Sequence, residues 1–128
     1  MPARITSILV VDDDTAIRET LRDVLEDSGY TVIESQDGLR ALEYLRKSPT
    51  PMIVLLDLMM PQLDGSALLG AVAGDSRRLQ RHRYILMTAG QQTLSLAFAN
   101  LLTNLSVPVI KKPFDVDHLL LTIEKQQR

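Results

Sequence analysis

Two periodicities alternate five times along these 128 residues, and that alternation leaves few folds open. Short apolar or β-branched runs stand at "ILVV" (8–11), "YTVIES" (30–35), "MIVLL" (52–56), "YILMT" (84–88) and "VPVI" (107–110). Between them, apolar residues return at helical spacing. Ile17, Leu21, Val24 and Leu25 recur at i, i+4, i+7 and i+8, and Val116, Leu119, Leu120 and Ile123 at i, i+3, i+4 and i+7. Leu39, Leu42 and Leu45 mark a shorter helix, and Leu68, Leu69 and Val72 another. A further one carries Leu94, Ala97, Phe98, Leu101, Leu102 and Leu105, while Gly29, Gly38 and Pro61 punctuate the joins. Strands alternating with helices read as an α/β fold: a five-stranded parallel sheet, doubly wound, with helices on both faces. The nearly continuous apolar character of the strands fits burial on both sides. Pro108, inside the last run, makes that strand an edge or delays its start.

Open parallel sheets bind ligands beyond the carboxyl ends of their strands, near the point where strand order reverses. The residues that end the strands are therefore the informative ones. Asp12 and Asp13 follow the first strand, Asp57 the third, Thr88 the fourth, and Lys111 or Lys112 the fifth. Four of the five strands bring a polar group to one rim. Clustered carboxylates repel, and one stays protonated unless a cation joins them. A hard divalent ion with oxygen ligands suits that need, and Mg²⁺ prefers octahedral oxygen coordination. No histidine or cysteine falls on the rim, which argues against zinc. A metal beside a carboxylate, a lysine and a threonine hydroxyl describes a phosphoryl-transfer site with a carboxylate nucleophile.

Composition sets the outer bounds. A net charge of -2 argues against a general nucleic-acid binder. The absence of cysteine rules out a disulfide framework and suits a cytoplasmic protein. "MPARITS" lacks a signal-peptide core, and no apolar stretch is long enough to span a membrane, so no membrane role is expected. The whole of 1–128 is expected to form a single domain.

In "ILVVDDD", "LLDLMMPQLDG", "ILMTA" and "KKPF", in that order and at those distances, the chain resembles the receiver domains of two-component response regulators, the CheY-like (flavodoxin-like) fold. The resemblance covers the chain from about Ile5 to its end. It implies a phosphorylatable switch rather than an enzyme, and from the 128-residue length no attached output domain is expected. Asp57 is then the phosphoacceptor, Asp12 and Asp13 the acidic pair for Mg²⁺, and Met59 the donor of a backbone carbonyl to the ion. Thr88 and Lys112 contact the phosphoryl group, and a cis bond is expected at Lys112–Pro113. The implied partners are a histidine kinase or histidine phosphotransfer protein and a separate, unidentified output protein.

Each residue also has a plainer reading. An acidic triplet is commonly a solvated helix cap, which is retained for Asp14. Lys111 is read as a solvated neighbour and Gly65 as structural. His82, in the basic run "RRLQRHR" (77–83), is expected on a solvated face. Two other functions compete. A haloacid-dehalogenase-like phosphohydrolase would use Asp12 of "VVDDDTA" as nucleophile and Asp14 as acid/base, but Ala16 departs from that motif and no later acidic pair follows. A pseudo-receiver would bind partners without being phosphorylated.

Two departures from the receiver pattern stand out. The aromatic residue usual three positions before the lysine is Val109 here, and the Thr88-to-Lys112 spacing is slightly long. From Tyr84 to Ile110 there is no formal charge, and Leu96 widens the apolar face of the fourth helix. That face is either a broad core stripe or a surface for a partner or self-association.

Overall fold

A computed structural model describes residues 4–60, 62–89 and 94–127. Pro61, which the sequence places at a join between elements, lies outside the described residues. Strands β1 (Ser7–Val11), β2 (Thr31–Ser35), β3 (Ile53–Asp57), β4 (Arg83–Ala89) and β5 (Val109–Lys112) alternate with helices α1 (Thr15–Asp27), α2 (Gly38–Lys47), α3 (Gly65–Ala73), α4 (Leu96–Asn104) and α5 (Val116–Lys125). All strand pairs are parallel, in the order β2-β1-β3-β4-β5. The chain steps outward from β1 to β2 and then returns to the other side of β1. The reversal therefore falls between β1 and β3, whose carboxyl ends carry Asp12 and Asp57.

Side-chain alternation along each strand divides the core in two. Leu9, Val11, Val54, Leu56 and Leu86 face the layer of α2, α3 and α4. Ile8, Val10, Ile53, Leu55 and Ile85 face α1 and α5. Both faces are covered, which is why the inner strands β1, β3 and β4 are nearly continuous in apolar residues. Pro108 acts in both of the ways expected: β5 is an edge strand and begins at Val109. Among the described residues no helix is long and apolar enough to cross a membrane.

Two expectations are refined. In and beside α4, Phe98 and Leu101, with the flanking Leu94 and Leu105, pack part-buried against the core and Leu102 is buried, but Leu96 is 78% exposed and turns away from them. His82 is a correction. Arg77, Arg78 and Arg83 are exposed as expected, yet His82 is only 2% exposed. Its Nδ1 accepts from the Met52 backbone N–H at 2.9 Å, and its Nε2 lies 2.9 Å from the Leu45 carbonyl. The ring thus ties the end of α2 to the start of β3, satisfying buried backbone groups that would otherwise be costly.

Candidate functional site

The first rim loop is built around Asp12. Its backbone N–H donates to the Ser35 carbonyl at 3.1 Å, continuing the β1–β2 ladder one residue past the strand. One carboxylate oxygen accepts from the Asp14 N–H at 3.0 Å, so the carboxylate folds back over its own turn. The other accepts from Lys112 Nζ at 2.8 Å. Asp14 accepts from the backbone N–H groups of Ala16 and Ile17 and is the N-cap of α1, as expected. Asp13, between them, is exposed.

Asp57 ends β3 and is buried. The chain leaves it through Leu58, whose N–H donates to the Met87 carbonyl at 3.0 Å. It returns at Gly65, whose N–H donates to the Leu58 carbonyl at 2.9 Å. A β-carbon at Gly65 would stand 2.8 Å from the Asp57 carbonyl oxygen and 2.9 Å from Leu58 Cα, so only glycine fits without moving the backbone that carries Asp57. Thr88 is buried in β4, one residue beyond Met87, the register partner of Asp57. Lys112 ends β5 with Nζ 3.4 Å from Asp57 Oδ1, whereas Lys111 is exposed. The Lys112–Pro113 bond is cis. The Met59 side chain is exposed.

Carboxylate oxygens of Asp12, Asp13 and Asp57 lie within 4.8 Å of one another. Three carboxylates face one ammonium, leaving two negative charges uncompensated at the rim. The electrostatics register this imbalance. Burial, and then the Asp12 charge, raise the Asp57 carboxyl above its ordinary value despite the opposing pull of Lys112. Burial also works against the Lys112 ammonium, but the hydrogen bond and charge of Asp12, with the charge of Asp57, outweigh it and leave Lys112 raised. An all-oxygen donor set with that charge deficit fits a hard divalent cation.

The sequence reading missed one component. Arg18, on the second turn of α1, donates from Nη1 to the Asp12 carbonyl at 2.6 Å and from Nε to Glu34 at 3.3 Å. Two signals for it were present: a lone glutamate inside the run "YTVIES", and an arginine one helical turn beyond the acidic triplet.

Over residues 8–124 the sequence matches the response regulator receiver domain family. A response regulator MprA of Mycobacterium tuberculosis (strain ATCC 25177 / H37Ra) is 37% identical over 113 residues, covering 88% of this chain and 46% of that protein. The MprA of Mycobacterium sp. (strain KMS) is 52% identical over 65 residues, 51% of this chain and 26% of that protein. The chain thus spans about half the length, or less, of the curated relatives it matches. Among solved structures, a CheY-like receiver domain protein from Methanospirillum hungatei JF-1 superposes with a TM-score of 0.79 at 27% identity, covering 94% of this chain and 93% of that one. The chemotaxis protein CheY4 of Vibrio cholerae gives 0.77 at 25% identity, covering 94% and 98%.

Proposed function

The chain belongs to the response regulator receiver domain family of two-component signalling, and on that premise we propose that Asp57 accepts a phosphoryl group from a histidine kinase or histidine phosphotransfer protein. What carries this reading is the placement of Lys112 Nζ, 2.8 Å from Asp12 and 3.4 Å from Asp57, beside the three clustered carboxylates. In the reaction an Asp57 oxygen bonds to phosphorus as the P–N bond of a phosphohistidine breaks, its electron pair leaving with the imidazole. Lys112, already within reach of Asp57, re-aims its ammonium at a phosphoryl oxygen. The Thr88 hydroxyl, on the neighbouring strand, donates to another. Asp12, Asp13, Asp57 and the Met59 carbonyl would hold Mg²⁺, which when bound supplies positive charge to the transferring phosphoryl group.

The partner side of the proposal is a cytoplasmic switch, with the signal passed on through protein contacts. Exposed Leu96 on α4 is the candidate contact for an output protein or for self-association. The phosphohydrolase reading requires Asp14 as a free acid/base, and its carboxylate is instead engaged in capping α1.

Intact mass spectrometry after incubation with acetyl phosphate and Mg²⁺ tests the proposal. One phosphoryl adduct is expected on the unsubstituted protein and none on Asp57→Asn. An adduct that survives Asp57→Asn and disappears in Asp12→Asn would support the hydrolase instead, and no adduct on any form would support the pseudo-receiver.

A further inference from the structure

We infer that Arg18 is a positioning residue for the metal-binding turn, holding the peptide plane between Asp12 and Asp13 in the orientation that lets both carboxylates meet one divalent cation. The inference rests on the metal reading above and concerns a residue outside the phosphoryl-transfer machinery.

The Asp12 peptide groups are fixed from opposite sides. The N–H of Asp12 is held by Ser35 of β2, and its carbonyl by Arg18 Nη1 at 2.6 Å. That carbonyl belongs to the peptide joining Asp12 to Asp13, so its direction fixes the positions of the Asp13 N and Cα, the base from which the Asp13 side chain departs. Asp12 has further restraints, from the Asp14 N–H and from Lys112. Asp13 is exposed, and among the described residues no hydrogen bond holds its carboxylate. Its geometry therefore depends on the peptide plane.

Arg18 is itself held firmly enough to act as a support. Its side chain is 13% exposed, its Nε donates to Glu34 Oε1 and its Nη2 to Thr15 Oγ1, both at 3.3 Å. The second Glu34 oxygen accepts from Arg22 Nη1 at 2.6 Å, so Glu34 is clamped between two arginines. The Arg18 side chain thus grips the turn at Asp12 while anchored to Glu34 of β2. A guanidinium presents several donors in a fixed fork, whereas an ammonium serves one acceptor direction well at a time. Groups that orient metal ligands without touching the ion typically alter affinity by 10–100-fold when removed.

The test is a Mg²⁺ titration followed by the amide NMR signals of residues 12–14, with stability of the metal-free protein measured in denaturant alongside. Arg18→Met keeps the aliphatic stem and removes the fork. It is expected to weaken Mg²⁺ by about tenfold, with Arg18→Lys recovering only part of the loss. If Arg18 merely clamps α1 to β2, metal-free stability falls while Mg²⁺ affinity stays within about twofold, and the inference is overturned. Should Arg18→Met fail to fold, Arg18→Lys carries the same comparison, with a loss of at least about threefold expected. A titration of the unsubstituted protein that never saturates would instead overturn the metal reading, and this inference with it.

Discussion

His82 shows what one buried ring does for this fold. In the neutral tautomer with the proton on Nε2, the ring donates to the Leu45 carbonyl and accepts from the Met52 N–H, serving two backbone groups that no regular element satisfies. A second proton on Nδ1 would point at the Met52 N–H and break that bond. Burial, the largest effect, lowers the His82 pKa; the Leu45 carbonyl opposes it, and the charge of Arg81 adds to the lowering. In the unfolded chain the ring protonates at about 6.5, while in the fold it resists. Stability from this residue is therefore complete above about pH 6.5 and is lost as pH falls below it, because the unfolded state then binds the extra proton. Asp57 works in the opposite sense: its raised pKa gives the native state the extra proton, so its contribution fades as pH rises through the folded value. Comparing variants separates them. His82→Gln should flatten the fall of the denaturant midpoint below about pH 6.5 and cost roughly 1–3 kcal/mol at pH 8, where a buried backbone group loses its partner. Equal curves for His82→Gln and the unsubstituted protein would refute the role given to His82. None of this was legible in "RRLQRHR". The partners of His82 are backbone groups 30 and 37 residues away, which side-chain patterning does not reveal. For Arg18 the pairing with Glu34 is signalled in the sequence, but the acceptor that matters, the Asp12 carbonyl, is not. Asp12 and Asp57 stand out as candidates because they are charged side chains closing apolar runs, whereas the choice of Lys112 over Lys111 rests on the resemblance of "KKPF".

Elements were easier to read than their attachments. Two-sided burial writes long apolar runs into β1, β3 and β4, and helix stripes follow from the single face each helix buries. Leu96 is the exception that helical spacing left open: the core stripe is wide, but this leucine stands outside it, and a period of 3.6 cannot say where a broad stripe ends. The attachment of α4 is also unequal to that of its neighbours. It contributes one fully buried side chain, Leu102, with Phe98 and Leu101 part-buried, whereas α2 and α3 each bury three side chains fully, so α4 is less deeply anchored than these two neighbours. It follows β4, which carries Thr88 at the rim. Val109, at the position where receivers usually have an aromatic ring, is β-branched and stiff at χ1, so it cannot swing a ring between buried and exposed states. With that readout missing, a shift of Thr88 toward phosphate should be passed on by the backbone leading into α4. Amide hydrogen exchange with and without beryllofluoride measures this. Changed protection across 94–105 is expected; changes confined to the neighbours of Asp57 would mean that phosphorylation is stored without being transmitted through α4.

At the scale of the whole molecule, folding itself assembles the carboxylate cluster proposed to hold the cation. Asp12 and Asp13 are 44 or more residues from Asp57 in sequence. Only the β1–β3 pairing, with its register of Ile8 to Ile53 through Val11 to Leu56, brings their oxygens within 4.8 Å. The unfolded chain holds no such cluster, so a cation that binds it binds the native state alone and stabilises it by mass action. At a hundredfold excess over the dissociation constant this amounts to about 2.7 kcal/mol, roughly 10 °C in Tm for a domain of this size. The same cluster is a burden without the cation, because like charges are held together while one lysine is shared between two of them. Replacing one carboxylate should therefore have opposite effects under the two conditions. Asp13 is the choice that separates them: it is exposed, so its loss leaves the core packing intact. Asp13→Ala is expected to raise the Tm of the metal-free protein slightly, by relieving repulsion, and to remove the rise in Tm that Mg²⁺ gives the unsubstituted chain. The measurement is a pair of thermal melts, with chelator and across a Mg²⁺ series. If Asp13→Ala lowers the metal-free Tm and still responds to Mg²⁺ like the unsubstituted protein, Asp13 is a structural residue of the turn and the cation has been assigned to the wrong carboxylates.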